Sequence, residues 1–121
     1  MRLIKDQENP LLEICSSYGF RLIPISSIMF INSKAKGSDI ILKNSEIINV
    51  RNLLVDFETL LPADIFFRCH RSFLINFLYI KSYKFNEATF TNGMTARISR
   101  KKSKLFREKL IRVMKCKNTE L

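Results

Sequence analysis

Apolar positions along the chain follow two different periods, and the switches between them mark out the elements. Leu11, Leu12, Ile14, Cys15 and Tyr18 lie between Asn9-Pro10 and Gly19, spaced as a short amphipathic helix. Asn9 would be its N-cap, Pro10 its first residue and Gly19 its stop. From Phe20 to Val50 the pattern becomes strand-like. Phe20–Pro24 is short and ends at its proline, and Ile28–Asn32 is a continuous apolar run suited to a buried strand. Lys34-Ala35-Lys36-Gly37-Ser38 reads as a turn with Gly37 at positive φ. Asp39–Lys43 and Glu46–Val50 flank Asn44-Ser45 as a hairpin.

Arg51–Leu61 returns to helical spacing through Leu53, Leu54, Phe57, Leu60 and Leu61, and Pro62 closes it. The segment Phe66 to Phe77 predicts a strand that passes Arg71-Ser72 into an apolar turn ending near Asn76. Tyr79–Phe85 and Ala88–Thr91 are further strands, the second joined to Met94–Ile98 by Asn92-Gly93, a strong hairpin signal. Ser99 then caps a final helix, Arg100 to about Lys117, with Leu105, Phe106, Leu110, Val113 and Met114 as its apolar stripe. The predicted architecture is mostly β (α+β), with two or three flanking helices.

Composition agrees with one compact domain: 121 residues, 46% hydrophobic, with ten phenylalanines for a core. Charge adds more. Residues 1–64 carry seven Lys/Arg against eight Asp/Glu, whereas 65–121 carry fourteen against three. A net of +11 on one half predicts a positive face, and polyanions are the usual partners of such a face. Three widely spaced cysteines and one histidine make neither a zinc site nor a disulfide framework, which fits a reducing cytoplasm. No apolar run approaches the roughly 18 residues of a membrane span.

The inventory excludes enzymes more readily than binding modules. Cys69 and His70 are adjacent on a strand and point to opposite faces, so they cannot form a nucleophile–base pair. Phosphate-cradling glycine motifs and paired carboxylates are missing, and no cofactor or metal site is expected. DNA binding passes the same test, because Lys34, Lys36, Arg68, Arg71, Arg100 and Lys101 all fall at predicted turns. There they could reach phosphates and base edges. A helix-turn-helix is not discernible, so loops are the expected readers. RNA, or an acidic protein partner met by the basic face, is the alternative; the aromatic residues lie in core-like runs rather than in a base-stacking pattern.

Phe66-Phe67-Arg68-Cys69-His70-Arg71-Ser72-Phe73-Leu74-Ile75-Asn76 resembles the F-x-R-x-H-R-S-aromatic-aliphatic-aliphatic-Asn signature of the LytTR DNA-binding domain. Asn92-Gly93 and Ile98-Ser99-Arg100 match its late hairpin and aliphatic-Ser-Arg element, and Leu53-Leu54…Leu60-Leu61-Pro62 its preceding helix. The resemblance covers roughly Leu22 to Ile111. It implies an elongated β-sheet domain whose loops enter successive major grooves of double-stranded DNA, often bending it. Such domains commonly sit at promoter direct repeats of bacterial genes, an arrangement compatible with a homodimer on DNA.

Carried over by position, Arg71 and Arg100 are the implied principal contacts. Lys34 and Lys36 lie in the matching contact loop, and Arg68, Ser72, Lys101 and Lys104 are secondary phosphate contacts. His70 is either a DNA contact or hydrogen-bonded in place; Asn76 serves local backbone groups. Ser99 is a helix cap first and a phosphate contact second, and Cys69 is a core thiol. The expected organisation is a helical extension over 1–20, the domain over 21–117 and a tail over 118–121. A phosphorylatable receiver ahead of the domain is not expected, so the chain reads as a regulator's output domain standing alone or excised.

Overall fold

The computed structural model describes residues 1–5, 9–16 and 19–119, with side chains through Lys115. Its centre is a five-stranded antiparallel sheet. In space its strands run β6 (Ile47–Val50), β5 (Gly37–Leu42), β4 (Ile28–Lys34), β8 (Phe73–Asn76), β7 (Phe66–His70). Both faces are buried at its centre, which is why β4 opens on the continuous apolar run Ile28–Ile31 rather than an alternating one. Ile31, Ile40, Leu74 and Phe66 face one core; Phe30, Ile41, Ile75 and Phe67 face the other.

A three-stranded sheet of β1 (Arg2–Ile4), β2 (Leu11–Ser16) and β3 (Gly19–Pro24) feeds the first core through Leu12, Ile14 and Ile23. The helix expected over 10–19 is therefore overturned. Leu11–Ser16 is a strand in register with β3 from Leu11↔Pro24 to Ser16↔Gly19. Leu12 and Ile14 alternate into the core, and that period of two outweighs a helical spacing once strands stand on either side. Asn9 caps nothing; its Oδ1 accepts a 3.4 Å hydrogen bond from the Ser26 hydroxyl. Tyr18 lies outside the described residues. β3 also runs across the expected boundary between residues 20 and 21.

The second core lies under a sheet of β9 (Ile80–Lys84), β10 (Glu87–Phe90) and β11 (Thr95–Arg97), through Ile80, Ala88, Phe90 and Ala96. Helix α1 (Leu54–Leu60) closes the first core with Leu54 and Phe57, and the Asp56 carboxylate accepts the Leu53 N–H at 2.9 Å. Leu53 is exposed, because the helix starts at Leu54, three residues later than the Arg51 start its spacing suggested, and leaves Leu53 at the cap. Helix α2 (Ser103–Thr119) lays Phe106 against Phe77 and Tyr83, with ring centroids 5.6 and 5.5 Å apart. Leu105, expected in its stripe, is exposed.

Two further expectations change. Phe73–Asn76 is a strand paired with both β4 and β7, and the turn comes after it as a 3-10 segment, Phe77–Tyr79. Arg100–Lys102 is likewise a 3-10 turn, with Ser99 before it but without a capping bond from the Ser99 hydroxyl. Asn76 behaves as expected: fully buried, it accepts the Leu78 N–H and donates to the Ile28 carbonyl, both at 2.9 Å.

Candidate nucleic-acid interface

Antiparallel pairing decides which turns meet. The β4–β5 turn (34–37) and the β7–β8 turn (71–72) leave the central sheet at the same end, where the Ser33 N–H donates to the Ser72 carbonyl at 2.9 Å. The Ser99 N–H donates to the Cys69 carbonyl at 2.8 Å, placing the segment before Arg100 beside that turn. The Ile98 N–H then donates to the Asn86 carbonyl at 2.7 Å, which adds the β9–β10 turn. Four turns thus form one row, joined by backbone hydrogen bonds. The Asn92-Gly93 and Asn44-Ser45 turns sit at the opposite end, where the Asn92 amide donates to the Ser45 hydroxyl at 3.0 Å.

Each turn has a local cause. Gly37 holds φ at 136°, and a Cβ there would lie 2.1 Å from the Val50 carbonyl oxygen, so both conformation and space require glycine. The β7–β8 turn follows a bulge. Arg68 pairs with Leu74 and His70 with Phe73, leaving Cys69 as the extra residue. Bulges bend a strand and re-aim side chains. Here the Cys69 carbonyl receives Ser99, while its thiol is fully buried and donates to the Arg97 carbonyl at 3.4 Å. Burial pushes that thiol up to about 12, which fits an inert core group.

Arg68 is turned inward, where it braces the neighbouring turn. Its guanidinium donates to the His70 carbonyl (3.2 Å), the Arg71 carbonyl (2.7 Å) and the Glu58 carboxylate (3.1 Å). Lys102 donates from Nζ to the Arg68 carbonyl at 2.7 Å, tying the Arg100–Lys102 turn to β7. His70 accepts the Ser72 N–H at Nδ1 (3.1 Å), which places its proton on Nε2. Burial lowers its pKa, with the cations of Arg71, Arg97, Arg68 and Lys102 acting in the same direction, so the ring is held neutral.

Arg71, Arg100, Lys101, Lys104 and Lys36 are exposed, while Ser72 and Ser99 are half-buried. Lys34 is also exposed, but its ammonium lies 3.0 Å from the buried Asp39 carboxylate. The row therefore brings together Lys34, Lys36, His70, Arg71, Ser72, Ser99, Arg100 and Lys101, with Lys104 one turn further along α2. Sequence reasoning missed Lys102 as an anchor. It also missed Phe85 at the fourth turn, having placed it at the end of a strand; Asn86 was the one residue there with turn chemistry.

Fold and site together define a β-rich domain with a basic row of turns at one end of a sandwiched sheet. The family model described as the LytTr DNA-binding domain matches residues 18–111, and the chain belongs to that family. Among solved structures it is similar to the LytTr DNA-binding domain of a protein from Bacillus cereus described as a methyl-accepting/DNA response regulator. The TM-score is 0.70 at 28% identity, covering 83% of this chain and 95% of that one. No curated protein sequence matches this chain. Among the described residues, no helix is long and apolar enough to cross a membrane, and no His, Cys, Asp and Glu cluster could hold a metal ion.

Proposed function

We propose that the row of turns binds double-stranded DNA sequence-specifically, as the output surface of a bacterial transcription regulator acting in the cytoplasm. The observation that carries this reading is the backbone-bonded juxtaposition of the Arg71 turn with Arg100 and the Lys36 turn. Arg71 and Arg100 are the base readers, since arginine presents two parallel donors to the O6/N7 pair of guanine. Lys36, Lys101 and Lys104 are phosphate contacts, which give affinity without sequence preference. Arg68, His70 and Lys102 act behind them by fixing the turns. Two domains on a direct repeat are the expected occupancy, and no chemistry beyond binding is assigned.

The test is binding of the full chain to random and selected duplexes across a salt series. If six phosphates are engaged, log K falls against log salt with a slope of about −5. Arg100→Ala should cost about 1–3 kcal/mol on the selected site and relax preference at one position. Loss of equal size on every sequence would demote Arg100 to a phosphate contact. Failure to bind any duplex at low salt would overturn the DNA reading in favour of an acidic protein or RNA partner.

A further inference from the structure

The fourth turn of the row is chemically unlike the other three. Phe85 and Asn86 form a two-residue loop between β9 and β10, both in the left-handed region with φ of 52° and 61°. That geometry suits the right-handed twist of a hairpin, and glycine, asparagine and aspartate adopt it readily. Phenylalanine does not, because its Cβ crowds the backbone there. The ring also gains nothing from packing: it is 88% exposed and belongs to neither core. A conformationally disfavoured, solvent-facing aromatic ring is a feature that folding does not explain.

Its surroundings indicate what it would meet. The Lys84 ammonium lies 5.0 Å from the ring centroid. Glu87 is the one acid in the immediate pairing, set between Lys84 and Arg97 on the neighbouring strands. Asn86 is bonded directly to Ile98, two residues before Arg100. Phe85 is thus an apolar ring beside one lysine, on a turn bonded to the strand end two residues before the arginine assigned to base readout. The apolar group that a base pair offers in the major groove is the thymine C5-methyl.

We propose that Phe85 is a fourth DNA-contacting element, packing against a thymine methyl beside the base pair read by Arg100. This inference rests on the DNA-binding reading above and extends it from cationic contacts to an apolar one. The hairpin then adds sequence preference, with Lys84 holding the ring and a nearby phosphate together.

The test uses the full chain, Phe85→Gly, Phe85→Leu and a duplex selected by the wild-type chain from a random pool. Glycine suits the turn, so Phe85→Gly should unfold no earlier than wild type. It should bind the selected duplex about fivefold more weakly, the scale of one lost apolar contact. Phe85→Leu should retain part of that affinity. Replacing one thymine of the site by uracil, which removes only the methyl, should weaken wild type by a similar factor and leave Phe85→Gly unchanged. Wild-type affinity in Phe85→Gly, a uracil penalty in that variant as large as in wild type, or an equal loss on random duplex would each overturn the proposal while leaving the DNA reading intact. Absence of binding by wild type to any duplex would instead remove the reading on which it rests.

Discussion

Arg68 offers the sharpest separation between a side chain that touches DNA and one that shapes the surface touching it. Its three guanidinium nitrogens serve two carbonyls of the β7–β8 turn and Glu58. Lysine keeps the charge but offers a single ammonium in place of the fork, so it can replace one of these bonds. A hydrogen bond from a charged donor contributes about 1.5–3 kcal/mol when shielded. The Arg68 side chain retains 22% of its exposure, which favours the lower end. The Glu58 pair, with that carboxylate 46% exposed, adds less than about 1 kcal/mol. Arg68→Lys should therefore destabilise by about 2 kcal/mol and lower Tm by roughly 6–8 °C in a domain of this size, read by thermal unfolding.

On DNA, loosening the turn should weaken the selected site several-fold while the salt slope stays at its wild-type value. Arg68→Met should do the same. A direct phosphate contact behaves differently: lysine would rescue it, and methionine would flatten the salt slope by about 1. Wild-type stability and affinity in Arg68→Lys, or a flattened slope in Arg68→Met, would refute the bracing role.

Three further outcomes are expected. Gly37→Ala should cost about 3 kcal/mol or more, because its Cβ meets the Val50 carbonyl, whereas Gly93→Ala, with open space around it, should cost about 1 kcal/mol in denaturant titrations. His70 has a depressed pKa in the folded chain, so its contribution is complete above its ordinary value near 6.5 and is lost as pH falls through the lower folded value. Wild type should lose Tm between pH 7.5 and 5.5 faster than His70→Gln; parallel curves would contradict this. Iodoacetamide at pH 8 should label the exposed Cys15 and spare the buried Cys69 until the chain is unfolded, as read by peptide mass spectrometry.

Much of this was legible along the chain because local signals agreed with the tertiary setting. The buried run at Ile28–Ile31, the turn at Gly37 and the Asn92-Gly93 hairpin all form where the pattern places them. Leu11–Ser16 did not, since five apolar positions in eight residues satisfy a helix and a strand equally. Only the neighbouring strands β1 and β3 decide between them. The candidate cations were recognisable as cations at turns, but their division of labour was not. Whether Arg68 faces a phosphate or the Arg71 carbonyl depends on a bulge at Cys69 and on Glu58 from another element, and neither writes a local signature. Phe85 escaped because a phenylalanine in a hairpin loop breaks the usual turn chemistry.

The row of turns is closed by main-chain bonds at Ser33–Ser72, Cys69–Ser99 and Ile98–Asn86, none of which depends on a ligand. On the proposed reading, its turns are therefore spaced before any duplex arrives, and little backbone ordering entropy is spent on binding. A row held by main-chain bonds yields less than a duplex does, so on that reading the duplex does the adjusting. Base steps that bend or twist easily between the contacted positions should then be preferred although no side chain reaches them. Part of the target's sequence would in that way be read as mechanical compliance, with the spacing of the four turns as the ruler.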